Sequence, residues 1–291
     1  MIDGVLGSKG ELPMISAKTL GRFNAGLIYA FLFVGSVVVL MPFYWTLITA
    51  IKIPAETITF PIIWIPSKIT LDHIIKVWHA NFIIYFRNST IVAAFVLAGN
   101  ILTSAIAGFI FAKFDFPFRN LLFIVVLSTL MVPFAVILIP AYLIVAVFLH
   151  LKDTIWAMIL PALVSPFGIF LMRQFIQTIP DELLDAARID GASDWTAFWR
   201  VVMPLCKPAL SALAIFHFIG IWNDFLWPLL VTDTDASRTL PIGVVLFAFQ
   251  RWLQYNVVIA ASLVVLVPMI VIYFIFQRAF VEGIILTGMK Y

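Results

Sequence analysis

The chain reads as an all-α, polytopic membrane protein of about six transmembrane helices, and three observations carry that reading. Of its 291 residues, 63% are hydrophobic and only 11% are charged, whereas soluble domains sit near about half apolar and about a quarter charged. Six stretches are apolar enough to cross the ~30 Å of hydrocarbon that takes ~20 residues of helix. Between the fourth and fifth stretches lies one charged segment, Thr178 to Lys207, whose natural place is water.

The mean hydropathy of +1.10 makes the same point. A soluble fold of this length could not hide so many apolar residues and still cover itself with polar surface, so lipid is the solvent for much of it. The lone Cys206 rules out an internal disulfide and a cysteine-based metal cluster. The formal charge of +3 is spread over loops, with no basic run that would suit nucleic acid.

Residues 1–22 form a polar N-terminal segment with Lys9, Lys18 and Arg22. The apolar stretch that follows is longer than the core of a cleavable signal peptide and reads as a retained anchor. It opens a single membrane domain, 23–279, whose spans lie at about 23–50, 87–112, 119–145, 154–177, 207–231 and 256–279. A short tail, 280–291, follows. An even number of spans puts both ends on one side. Eleven of the eighteen Lys and Arg residues fall on the side of the termini and the 178–207 segment, which favours a cytoplasmic location for all three.

Five of the spans contain proline: Pro42, Pro133 and Pro140, Pro161 and Pro166, Pro228, and Pro268. Each removes a helix hydrogen bond, and each is either a packing kink or a break lining a water-filled path. The second span instead carries a row of small residues, Ser104, Gly108 and Ala112. Such a row suits close helix packing, against another subunit if not within the chain. In the first outer loop Thr70 can cap a helix with Leu71, Ile74, Ile75 and Trp78 on one face, which is either a membrane-surface strut or a docking surface.

The charged segment reads as a helix-turn-helix between spans four and five. Pro180 suits a first helical position, Asp181 and Glu182 favour the positive end of the helix dipole, and Gly191 suits a left-handed stop. Ser193 then caps a second helix with Trp195, Phe198, Trp199 and Val202 on one face, and Pro204 is expected to end it. The segment is either a solvated loop or a surface gripped by another protein.

Asp185, Ala186, Ala187, Arg188, Ile189, Asp190, Gly191 and Ala192, followed by Pro204, resemble the EAA loop of permease subunits in binding-protein-dependent ABC importers. The run Phe170 to Phe175 leading into Ile179-Pro180, the run Trp222 to Pro228, and the C-terminal Gln277-Arg278, Phe280 to Gly283 and Gly288 to Lys290 are similar to the carbohydrate branch and its maltose-type second permease. The likeness runs from about Asn88 to the end. It departs from the pattern at Asp185, where the family usually has Glu, one methylene longer.

The resemblance implies that this loop is a cytoplasmic coupling helix seated in a cleft of an ATPase subunit, with Asp185, Ala186, Ala187, Asp190, Gly191 and Ala192 as contact residues. It implies a second permease subunit in a heterodimer, two ATPase subunits that bind ATP and Mg, and an external substrate-binding protein, all at a prokaryotic inner membrane. Gly283 and Gly288 would lie in a flexible strand that contacts the ATPases, or in a disordered terminus. The outer loop 232–255, with Asp233, Asp235, Arg238, Trp252 and Tyr255, sits where relatives probe the binding protein.

No G-x-x-x-x-G-K-[ST] is present, so this chain has no phosphate-binding loop of its own and energy must arrive through a partner. It holds no cofactor or metal motif, and no H-E-x-x-H, G-x-S-x-G or paired intramembrane aspartates that would make it an enzyme. Asp224 is the only acid well inside a span, and a charge there costs ~2.5–3.5 kcal/mol to insert. With Trp222, Asn223 and Trp227 it could meet a sugar in the substrate pathway, or it could pair with backbone near the span's outer end. His217 on the same helix is expected to be a satisfied packing histidine. An ion-coupled secondary transporter is the rival reading, but it would need several facing intramembrane ionisable groups. The expected cargo is a sugar or oligosaccharide, with glycerol-phosphate-type cargo as the alternative.

Overall fold

The computed structural model describes residues 17–250 and 254–288; the N-terminal Lys9 and the loop residue Trp252 lie outside these. The apolar stretches become helices, and among the described residues four are long and apolar enough to cross a membrane, or up to six if each sharply bent pair is one span. The first span is α1 (Ala17–Ile51), helical through Pro42. Its surface is open along most of its length, with Phe31 79% exposed.

The loop after α1 carries the expected short helix, α2 (Asp72–Val77). Thr70 Oγ1 accepts the Asp72 N–H at 3.2 Å. His73 and Val77 are buried, while Leu71, Ile75 and Trp78 stay exposed, as a helix lying along an interface requires. A kink at Ala80 and Asn81 then turns the chain into α3 (Ile83–Lys113).

The third span bends by 97°. It consists of α4 (Arg119–Ser128), a 3-10 turn, and α5 (Phe134–Tyr142), whose cap is Pro133. The fourth is α6 (Trp156–Ala162) and α7 (Pro166–Ile176), parted at 163–165. Ser165 caps α7 through the Gly168 N–H at 3.1 Å, and Pro166 occupies the position where a missing N–H costs nothing.

The charged segment forms α8 (Asp181–Ile189) and α9 (Asp194–Ala197). Pro180 sits one residue earlier than expected, as the cap of α8. Pro204 does not end the second helix. The chain winds through a π turn at Phe198–Val202 and one more turn, α10 (Met203–Leu205), and breaks at Cys206. There it bends by 76° into α11 (Lys207–Trp222). With 16 residues, α11 is short for a full crossing, and α12 (Leu226–Val231) completes the span after a break at 223–225.

Part of the expected outer loop is an apolar helix, α13 (Leu240–Gln250), with Leu240, Ile242 and Phe247 buried. Its Gly243 meets the Tyr85 ring where no β-carbon would fit. The last span, α14 (Tyr255–Gly288), is helical through Pro268. The expected flexible strand is therefore corrected: Gly283 and Gly288 continue this helix.

The small-residue row on α3 packs within the chain rather than against another subunit. A β-carbon on Gly108 would lie 2.6 Å from Met172 Cβ and 2.9 Å from the Arg173 nitrogen. One on Gly168 would collide with Ser104 Oγ. The α3–α7 crossing thus brings backbones close where lipid gives no hydrophobic drive to hold helices together.

Candidate functional site

Two features stand out, one at each level of the bundle. The first is a cavity of about 310 Å³ that α3, α5, α6 and the α11–α12 break enclose. Its wall is mostly apolar, with Val92, Val96, Phe134 and Met158, and its polar groups are Ser89, Asp224 and Thr239. Pro161 and Pro228 also face it, so proline-bearing segments of spans four and five meet at its edge, as discontinuous helices do around intramembrane sites.

Asp224 stands in the break before α12, close to the backbone N–H groups of Phe225 and Trp227 at that helix's start. Free N–H groups at a helix start are the natural partners of a carboxylate. Trp227 lines the cavity, its Nε1–H donating to Ala157 O at 3.0 Å. Trp222 turns away from it. Its Nε1–H donates to Val265 O at 3.0 Å, and its ring stacks on Phe218 with centroids 5.3 Å apart. Asn223 bonds back to Ile219 O at 2.9 Å. The four candidate pathway residues therefore divide, with Asp224 and Trp227 at the cavity and Trp222 in the core.

Thr239 was not singled out by its residue type, yet its buried hydroxyl has no partner among the described residues. Ser89 Oγ accepts the Leu240 N–H at 2.8 Å and keeps its own proton to donate. His217 packs on Phe167 with ring centroids 6.3 Å apart, but its buried Nε2 has no hydrogen-bond partner among the described residues, so it is not the satisfied histidine expected.

The second feature is the hairpin of α8 and α9. Gly191 has φ +83°. Its N–H reaches Arg188 O at 3.0 Å, and the Ala192 N–H reaches Ala187 O at 2.9 Å. This is the paired closure that ends a helix on a left-handed glycine. Ser193 Oγ accepts the Thr196 N–H at 3.2 Å and starts the next helix. Arg188 bridges the two helices, bonding Asp185 at 3.1 Å and Asp194 at 3.0 Å. These two carboxylates raise its pKa further, Asp194 the more.

Asp185, Ala186, Asp190 and Gly191 are exposed, and Ala187 and Ala192 half-buried. Ile189 beside them is 87% exposed, and Trp195 and Trp199 are also open.

The hairpin is held from beneath by residues that composition did not reveal. Lys113, at the end of α3, is nearly buried and donates to Asp181 at 2.6 Å and to Ile179 O at 2.5 Å. Phe109 meets Phe198 with centroids 5.2 Å apart. Leu184, Phe198 and Val202 are buried among Phe109, Met172 and Ile176.

At the opposite end of the bundle, the turn 232–239 is gripped by Asp153. This carboxylate accepts the N–H groups of Asp233 at 2.8 Å and Thr234 at 2.9 Å, and the hydroxyls of Thr234 and Ser237. Although burial opposes it, this set of donors holds the Asp153 pKa well below the usual carboxylate range.

The fold is that of a multi-pass membrane protein, and the sequence comparisons give its class. The chain belongs to the binding-protein-dependent transport system inner membrane components, whose family model matches residues 101–285. It is 36% identical over 231 residues to the arabinooligosaccharides transport system permease protein AraQ of Halalkalibacterium halodurans, covering 79% of this chain and 82% of that one. It is 35% identical over 263 residues to the sn-glycerol-3-phosphate transport system permease protein UgpE of Yersinia pestis, covering 87% of this chain and 93% of that one. In fold it is similar to a chain of a bacterial ABC transporter involved in the import of the acidic polysaccharide alginate. The TM-score is 0.74 at 22% identity, over 92% of this chain and all of that one. The chain is thus the permease subunit of an ABC importer.

Proposed function

We propose that this permease pairs with a second one to move a neutral sugar or oligosaccharide, delivered by an external binding protein, and that two ATPase subunits bind ATP and Mg and drive it through the α8–α9 hairpin. The observation that carries the coupling role is the exposed surface Asp185, Ala186, Asp190 and Gly191 beside bare Ile189, on a hairpin that Lys113 and Phe109 fix to the bundle. Hydrolysis on the partners would then rock the bundle as a rigid body between inward-facing and outward-facing states. Both termini, with the hairpin, would be cytoplasmic, and the turn 232–239 would face the binding protein.

The cavity supports the choice of cargo. An aromatic wall from Trp227 with a carboxylate and two hydroxyls suits a hydroxyl-rich solute. A phosphorylated cargo such as the UgpE relative's name indicates would find no Lys or Arg among the residues lining the cavity to hold its phosphate. The test is reconstitution with both ATPases, the second permease and the binding protein. Hydrolysis should rise when the binding protein is loaded with sugar, and hydrolysis indifferent to the loaded protein would overturn the reading.

A further inference from the structure

Both ends of the molecule are tied to one helix. Of the described helices that cross, α3 alone contains no proline, and its 31 residues make a rod of about 46 Å at ~1.5 Å per residue. Spans three, four and five are each parted by a break or bend.

At the outer end of α3, Tyr85 Oη donates to Asp235 at 2.7 Å. Asn88 Nδ2 donates to Ala236 O at 2.8 Å and to Arg238 O at 2.9 Å, and Ser89 receives the Leu240 N–H. At its inner end, Lys113 holds Ile179 O and Asp181, and Phe109 packs on Phe198. Lys113 has its side chain 5% exposed, so its charge is spent on the start of the hairpin rather than on water. Near this inner end, Gly108 locks α3 to α7, whose end leads into the hairpin.

We propose that α3 is the rod that carries the arrival of a loaded binding protein at the 232–240 turn to the ATPase-coupling hairpin, with Asn88 and Lys113 as its positioning residues. The inference rests on the importer reading above. A broken helix absorbs a displacement at its break, while an uninterrupted one with fixed ends moves both ends together. Asn88 and Lys113 touch neither cargo nor nucleotide in this scheme; they transmit.

The test is a double-mutant cycle in the reconstituted complex, since spatial intermediacy alone does not establish coupling. Asn88→Leu removes both outer amide bonds, and Lys113→Met removes the inner ones. Each should lower the maximal stimulation of hydrolysis by loaded binding protein about tenfold. ATPase copurification, basal hydrolysis and the binding-protein concentration giving half-maximal stimulation should stay at wild-type levels. The double variant should be no worse than either single one, and Lys113→Arg should restore most of the stimulation. Should Asn88→Leu fail to assemble, Tyr85→Phe supplies the outer cut by removing one hydroxyl.

Additive losses, full stimulation in either variant, or a loss confined to the half-maximal concentration would overturn the role of α3 while leaving the importer reading intact. Absence of stimulation in the wild type would instead remove the importer reading.

Discussion

Gly191 closes α8 at φ +83°, and a β-carbon there would meet nothing within 4 Å. A substitution at this position therefore carries a backbone cost and no steric one inside the chain. A β-branched residue forced into the left-handed region costs ~2 kcal/mol, so in Gly191→Val the closed turn becomes about 30-fold less favourable relative to an opened one. If the ATPase cleft accepts only the closed hairpin, apparent affinity for the ATPase subunits falls by the same factor. Asparagine tolerates the left-handed region, so Gly191→Asn should lose no more than about threefold, roughly half a kcal/mol. The assay is titration of tagged ATPase subunits onto the detergent-solubilised permease, with membrane yield as the control. Yield should hold in both variants, because the turn sits outside the spans. Wild-type affinity in Gly191→Val would refute the closed-turn requirement. Equal losses in the two variants would show that the cleft, rather than the backbone, rejects a side chain.

Two further outcomes follow from the packing and from the charges. Gly108→Ala puts a methyl where Met172 Cβ and the Arg173 nitrogen leave no room, an overpacking worth ~1–3 kcal/mol; it should lower the thermal unfolding temperature in detergent, and an unchanged midpoint would contradict the close α3–α7 crossing. Because the Asp153 pKa is depressed in the folded chain, its stabilisation is complete above the ordinary value of about 3.9 and is lost only as pH falls through the lower folded one. Protection of the Asp233 and Thr234 amides from hydrogen exchange should accordingly persist from neutrality to about pH 4 and vanish at every pH in Asp153→Ala, which removes the accepting oxygen; loss of protection above pH 5 in the wild type would sink the assignment.

The spans and the hairpin were legible because each rests on a local signal. Hydropathy over a window fixes a crossing whatever its neighbours are, and Ser193 and Gly191 dictate a cap and a stop through their own chemistry. The residues that the sequence did not disclose depend on what lies across a gap. Nothing in the row Ser104, Gly108 and Ala112 says which helix it faces, and that partner turned out to be α7 of the same chain. Trp222 and Trp227 share a motif five residues apart and alike in composition, yet the break at 223–225 sends one to Val265 and the other to the cavity. Lys113 and Asp153 carry no local signal of what they hold. Their roles come from carbonyls and amides 66 to 81 positions away, which no periodicity encodes. Pro204 misled for the opposite reason, since a proline at the start of a turn ends nothing.

The exposed flank of α1 bears on how the protein is made. This helix rests chiefly on α14, with lesser contacts to α2 and to Trp64 in the loop after it, and Asn256 at the start of α14 bonds to Lys52 O at 2.9 Å just past its end. Spans emerge from the ribosome in order and settle in the bilayer one by one before they associate. Helix α1 is therefore made before its main neighbour and waits in lipid until α14 has been inserted, so this side of the bundle can close only then.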